Sequence, residues 1–247
     1  MIHVFTSTGN SLQIAQEIAS RTGQEITFIN SGGSADTDDT VFVVCPVYSY
    51  NIPRTVREYL PKMQLKPEQK AVLVVNFGSS PGNVLMAAFK DFEAAGIELR
   101  YGFGFQMPEN YIMMFEPPSE EEIRELTSLV PEHVEYMLAH INGESHFEIQ
   151  DSRFASLFTH FGRKWEKRMS STKAFRVSGE CTSCGLCESI CPRHVISIKD
   201  GRPVWTSDSC EHCCGCIHRC PAGAISYKKS FKRSRYVNPN VHLPDSF

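Results

Sequence analysis

Between Cys181 and Cys220 one cysteine spacing is written twice: Cys181-x2-Cys184-x2-Cys187-x3-Cys191-Pro192, then Cys210-x2-Cys213-x2-Cys216-x3-Cys220-Pro221. Two intervening residues let a tight loop aim successive thiolates at neighbouring corners of an iron-sulfur cube. Zinc sites instead pair two such hooks across a longer span, without three consecutive hooks and a Cys-Pro. The doubled run therefore reads as the ligands of two 4Fe-4S clusters.

The fourth Cys of each run lies too far along the chain to close its own cube, and in the bacterial form of the run it ligates the other one. Applied here, the first cluster takes Cys181, Cys184, Cys187 and Cys220, and the second takes Cys210, Cys213, Cys216 and Cys191. The repeat extends past the cysteines, because Cys191-Pro-Arg-His-Val-Ile-Ser-Ile aligns with Cys220-Pro-Ala-Gly-Ala-Ile-Ser-Tyr. Each half reads as loop, short helix and strand. Gly185 and Gly215 are expected to give the loops the φ freedom that turns backbone amides toward sulfur. Cys214 breaks the repeat, since Gly185 stands at the matching place. Here residues 173–228 resemble the bacterial-type ferredoxins with two 4Fe-4S clusters.

Bulk properties set the frame. A chain of 247 residues that is 41% hydrophobic can bury a full core and a second small domain. Ten cysteines would suggest disulfides in a secreted protein, but Met1-Ile-His-Val-Phe5 has neither a basic start nor a long apolar run, so a cytoplasmic, reduced location is expected. No apolar stretch reaches membrane-spanning length. The formal net charge of −3 hides an asymmetry: residues 173–247 carry 11 basic and 6 acidic groups. Thiolate-bound cubes are anionic and offset that excess, so the basic surplus does not call for nucleic acid. Lys228, Lys229, Lys232, Arg233 and Arg235 sit together beyond the last ligand, as a solvated tail or a docking patch for an acidic redox partner.

The first half alternates apolar strands with helical stretches. Strands are expected near 2–5, 25–29, 41–45, 71–76 and 97–105, and helices near 11–21, 53–60 and 82–95. Runs such as Val41-Phe-Val-Val-Cys45 and Ala71-Val-Leu-Val-Val75 suit a parallel sheet covered on both faces. Ligands of such sheets collect at the carboxyl ends of the strands. After the first strand comes Thr6-Ser7-Thr8-Gly9-Asn10-Ser11, hydroxyl-rich and opening a helix, which suits a phosphate held by amides and helix-end dipole. It is neither a P-loop nor a dinucleotide fingerprint. After the third and fourth strands come Val47-Tyr48-Ser49-Tyr50-Asn51 and Asn76-Phe77-Gly78, aromatic and small polar residues that suit a flat heteroaromatic ring.

These three loops together describe a flavin mononucleotide site, and residues 1–142 resemble the flavodoxin family. That resemblance implies a doubly wound α/β fold with a five-stranded parallel sheet of order 2-1-3-4-5. It also implies FMN phosphate on Thr6 to Ser11, one side of the ring at Val47 to Asn51, and the other at Asn76 to Gly78. Tyr48 or Tyr50 is the stacking candidate, with Tyr111 a further one, and Cys45 is read as a buried, inert thiol.

Ser119-Glu-Glu-Glu122 is a capping box for a helix to about Ile141, which Pro131 should kink or restart. A helical connector at 143–172 carries the stripe Phe154, Leu157, Phe158, Phe161, Trp165 and Met169, suited to packing between domains. The expected order is therefore a flavodoxin-like domain at 1–142, this connector, a small α+β ferredoxin-like domain at 173–230 and a basic tail at 231–247. His194, His212 and His218 flank the ligands, as donors to sulfur or as exposed bystanders. The whole pattern resembles the small flavodoxin-ferredoxin fusion proteins of anaerobes. It implies an electron-transfer iron-sulfur flavoprotein working with other redox proteins. Two other readings are an FMN-dependent reductase of a small molecule or quinone and a redox-sensing binding protein.

Overall fold

The computed structural model describes residues 1–29, 38–143 and 170–246. The aromatic stripe of the expected connector lies outside the described residues.

Five strands form one parallel sheet: β1 (Ile2–Val4), β2 (Ile26–Phe28), β3 (Thr40–Pro46), β4 (Lys70–Phe77) and β5 (Leu99–Gln106), in the order β2-β1-β3-β4-β5. Because side chains alternate along a strand, each central strand feeds two cores. Phe42 and Val44 join Ile2, Val4, Val72 and Val74 beneath helices α1 (Asn10–Thr22) and α5 (Val130–Asn142). Val41, Val43 and Cys45 join Leu73 and Val75 beneath α2 (Arg54–Tyr59) and α3 (Val84–Ala94). This is the flavodoxin-like, doubly wound arrangement.

The helix over 119–141 is two helices. Ser119 caps α4 (Glu120–Ser128) by accepting from Glu122 N at 3.3 Å, while Glu122 Oε2 accepts from Ser119 N at 3.0 Å. Pro131 then sits in the first turn of α5, where its missing N–H costs nothing. Among the described residues no helix is long and apolar enough to cross a membrane.

The cysteine-rich module has two antiparallel pairs, β6 (Phe175–Val177) with β9 (Ile225–Tyr227) and β7 (Ile196–Lys199) with β8 (Arg202–Trp205). Its short helices α6 (Leu186–Ser189) and α7 (Gly215–His218) repeat the 29-residue offset of the cysteines. The backbone repeats it too: left-handed φ occurs at Ser183 and His212, at Gly185 and Cys214, and at His194 and Gly223. The expected role of Gly215 is thereby corrected. Cys214, at φ 61°, takes the place of Gly185, and Gly215 instead packs against Ser7, where a Cβ would lie in ordinary contact at 3.4 Å from Ser7 Cβ.

The two halves share a core. Ile112 and Met113, with Tyr111 packed against them, join Phe175, Cys214, Ile217 and Ile225. The segment after β5, expected to belong to the first half alone, thus packs into the second. Residues past 230 are not a solvated tail: Tyr236 and Asn238 are 2% and 1% exposed, and Leu243 enters the sheet core.

Candidate redox centre

The segment Thr6 to Ser11, expected to hold a phosphate, joins β1 to α1. Gly9 is its N-cap at φ 103°, no side chain caps the helix, and Asn10, Ser11 and Leu12 in the first turn are buried. A buried, uncapped helix start leaves backbone donors for an anion. The hydroxyls are set as donors as well, because their oxygens already accept. Thr6 Oγ1 accepts from Gly9 N at 3.0 Å, Thr8 Oγ1 from Asn110 Nδ2 at 2.6 Å and Ser11 Oγ from Asn76 Nδ2 at 2.6 Å. Each hydroxyl proton is left to point at a ligand oxygen. This donor set fits a phosphate dianion.

Beside it, Tyr48 and Asn51 bond each other's backbone at 2.8 and 3.0 Å, closing a tight turn in which Ser49 and Tyr50 both hold positive φ. Neither is glycine, so this turn stores strain of about 1–3 kcal/mol per residue, a feature typical of ligand-binding loops. Tyr48 OH lies 3.3 Å from Ser7 Oγ, and its ring meets Phe5 edge-on. Tyr50 is more exposed and lies over Gly82, where a Cβ would meet its Cδ1 at 2.7 Å. Asn76 is buried and Phe77 half-buried, and Glu109 fills the space a side chain at Gly78 would need. Tyr111 is half-buried in the shared core and does not stand free over the loops. Cys45 is fully buried, and burial pushes its thiol well up.

Among the cysteines, Cys181, Cys184, Cys187 and Cys220 line one pocket with Gly185, Pro221 and Ile225. Among the described residues no three thiol, imidazole or carboxylate groups converge as a single ion requires. A four-iron cube takes each thiolate at a separate iron, and its ligands stand apart around a cavity, as these four do. Burial raises the Cys187 thiol to about 11, with Cys220 and Cys184 adding repulsion, and raises Cys210 to about 12, with Cys191 adding to it. Cys213 and Cys216 are raised mainly by burial, and Cys210 and Cys191 add to the rise of both. Cys191 thus neighbours the second run and Cys220 the first. Iron binding would displace these protons and neutralise the repulsion. Backbone N–H groups of His212 and Ala224 already reach Cys210 Sγ and Cys220 Sγ, both at 3.3 Å.

The histidines divide differently from either expectation. His194 is exposed. His212 spends Nε2 on Ser171 O at 3.0 Å. His218 accepts from Tyr236 N at Nδ1 (3.0 Å), which places its proton on Nε2, 2.8 Å from Asn110 O. Its ring therefore ties the module to the first half and does not donate to sulfur.

The second cysteine run lies against the flavodoxin-like half. Gly215, between Cys213 and Cys216, approaches Ser7, and the Tyr48 hydroxyl is pushed up by burial first and then by the nearby Cys213. Glu211 caps α2 from across the interface: Oε1 accepts from Arg54 N (2.8 Å), and Oε2 from Thr55 N (3.2 Å) and Thr55 Oγ1 (2.7 Å). Arg54 returns a bond to Ser209 O at 2.6 Å, and Arg193 pairs with Glu58 at 2.6 Å. Glu211→Ala is expected to lower stability by about 2 kcal/mol, the cost of a lost charged cap with its donors left buried. Denaturant unfolding of cluster-loaded protein measures this, and a change below about 0.5 kcal/mol would remove Glu211 from the interface account.

Glu211, Asn110, Tyr236 and Asn238 escaped the sequence reading, since single polar residues outside a motif carry no signal. Asn110 was the most accessible of them: it follows β5, and the strand-end rule applied there too.

A ferredoxin-type module packed on a flavodoxin-like sheet defines an iron-sulfur electron-transfer protein. The 4Fe-4S binding domain family matches residues 176–197. Ferredoxin-1 of Rhodobacter capsulatus is 41% identical over 46 residues, 16% of this chain and 71% of that protein. Ferredoxin-1 of Chlorobaculum tepidum is 38% identical over 58 residues, 21% of this chain and 94% of that protein. Through this module the chain belongs to the ferredoxin family. Solved structures similar to the other half include a putative flavoprotein from Bacteroides uniformis, with TM-score 0.38 and 14% identity, covering 51% of this chain and 94% of that one. Megasphaera elsdenii flavodoxin gives 0.35 and 17%, covering 55% and 99%. The flavodoxin-like assignment itself rests on the strand order described above.

Proposed function

We propose that the protein passes electrons between an external redox partner and FMN through two 4Fe-4S clusters in series. The first is held by Cys181, Cys184, Cys187 and Cys220, and the second by Cys210, Cys213, Cys216 and Cys191. In this reading residues 1–142 bind FMN, residues 173–230 bind the clusters and residues 143–172 connect them. When bound, FMN exchanges electrons singly or in pairs, whereas each cube exchanges one.

The observation that carries the reading is the packing of Gly215, between Cys213 and Cys216, against Ser7, where a Cβ on the glycine would lie 3.4 Å from Ser7 Cβ; it supports a second cluster close to the phosphate loop. Cys184 is exposed, whereas Cys213 is half-buried and close to Tyr48, which supports a first cluster that faces a partner and a second that faces the flavin. Thr6, Thr8 and Ser11 would bind the phosphate by donating, and Tyr48 would flank the ring.

Rapid mixing of the oxidised, fully loaded protein with a one-electron donor tests this. Cluster bleaching should precede flavin bleaching, and the second phase should be first-order with a rate independent of protein concentration. A flavin phase that accelerates in proportion to protein concentration would mean electrons reach FMN between molecules.

A further inference from the structure

The chain beyond the cluster module returns to the phosphate loop. Tyr236 OH donates to Asn10 Oδ1 at 2.6 Å, and Asn238 Nδ2 bonds the same oxygen at 3.3 Å and Gln13 Oε1 at 2.8 Å. Asn238 N donates to Thr8 O at 2.8 Å. Val241 lies over Gly9, where a Cβ would meet its Cγ2 at 2.6 Å and Asn238 Cβ at 2.9 Å. Leu243 is buried in the core shared by α1 and α5. Both ends of this stretch are fixed on the cluster module: Tyr236 N donates to His218 Nδ1, Arg219 Nη2 to Pro244 O at 2.5 Å, and Ser189 Oγ to Asp245 O at 2.6 Å.

We propose that residues 236–243 form a fixed outer wall of the flavin phosphate site, with Tyr236 and Asn238 as positioning residues acting through Asn10 and Thr8. The inference rests on the FMN reading above and adds to it the residues that hold the phosphate loop in its binding geometry. The carbonyl of Thr8 bonds outward to Asn238, which turns the Gly9 N–H of the same peptide inward to Thr6 Oγ1. A carbonyl oxygen directed inward would repel a phosphate. An inward N–H that occupies the Thr6 oxygen leaves the Thr6 proton for the ligand. Asn10 has both ends of its amide committed, Nδ2 to Pro108 O at 3.0 Å and Oδ1 to the wall, so the first turn of α1 is pinned as well. Charge and geometry at the phosphate thus depend on residues that follow the last cluster ligand in the chain.

Titration of cluster-loaded, flavin-free full-length protein with FMN and with riboflavin tests the proposal, because riboflavin lacks the phosphate. Tyr236→Phe and Asn238→Ala should each weaken FMN about five- to tenfold, the scale of one lost hydrogen bond. Riboflavin affinity and iron content should stay at wild-type values. Equal weakening of both flavins, or unchanged FMN affinity in both variants, overturns the proposal. Wild-type protein that binds neither flavin overturns the underlying FMN reading itself.

Discussion

Cys220→Ser is expected to destroy the cluster at Cys181, Cys184 and Cys187 and to leave the one at Cys210, Cys213 and Cys216 in place. Read along the chain, Cys220 belongs with the second run, so the opposite outcome is what proximity in sequence suggests. In space it lines the same pocket as the first three thiols, and its charge acts on Cys187. Three thiolates and a hydroxyl are a poorer set for a cube, since serine gives up its proton far less readily than cysteine. Iron should fall from about eight to about four per chain, or only to about seven if the damaged cube persists without its corner iron. Cys191→Ser should show the mirror image, sparing the first cluster. Loss of only the Cys210 cluster in Cys220→Ser would overturn the crossed assignment.

Gly9→Ala is expected to cost about 3 kcal/mol of stability and to abolish measurable FMN binding. Two independent effects add. A φ of 103° is open to glycine and strained for any residue with a Cβ, at about 1–2 kcal/mol. The new methyl would also stand 2.6 Å from Val241 Cγ2 and 2.9 Å from Asn238 Cβ, an overpacking that typically costs 1–3 kcal/mol. Relief requires the loop or the outer wall to move, and either disturbs the donors at Thr6 and Thr8. Denaturant unfolding and flavin titration of the same preparation measure both parts. Wild-type FMN affinity in Gly9→Ala would show that the loop geometry described here is not the binding geometry.

The parts of this molecule that the sequence discloses are those governed by local repetition. Val41 to Cys45 and Ala71 to Val75 announce buried parallel strands because every position faces one of two cores, and the strand order comes only with the flavodoxin resemblance that the loops at their ends carry. The doubled cysteine run is legible because a cube would impose such a spacing on its loop. Even Cys214 is marked by its mismatch with Gly185, although the left-handed φ it shares with that glycine needs the backbone to be seen.

What stays hidden is long-range. Tyr236 meets Asn10 across 226 positions, and nothing local to either residue signals the pair. The basic residues at 228–235 look like a solvated tail, yet Arg233 donates to Ile112 O at 2.5 Å and Arg235 to Ile225 O at 3.0 Å, so part of that charge is structural. Gly215 reads as a turn glycine until Ser7 is placed against it. His218 reads as a sulfur donor or an exposed bystander until both its nitrogens are found bonded to backbone.

The most direct measurement of the account is the cofactor content of the anaerobically reconstituted full-length protein, by iron, acid-labile sulfide and flavin analysis on one sample. About eight iron, eight sulfide and one FMN per chain are expected from two cubes beside one flavin site. Four iron per chain, or a full complement of iron with no retained FMN, would contradict it.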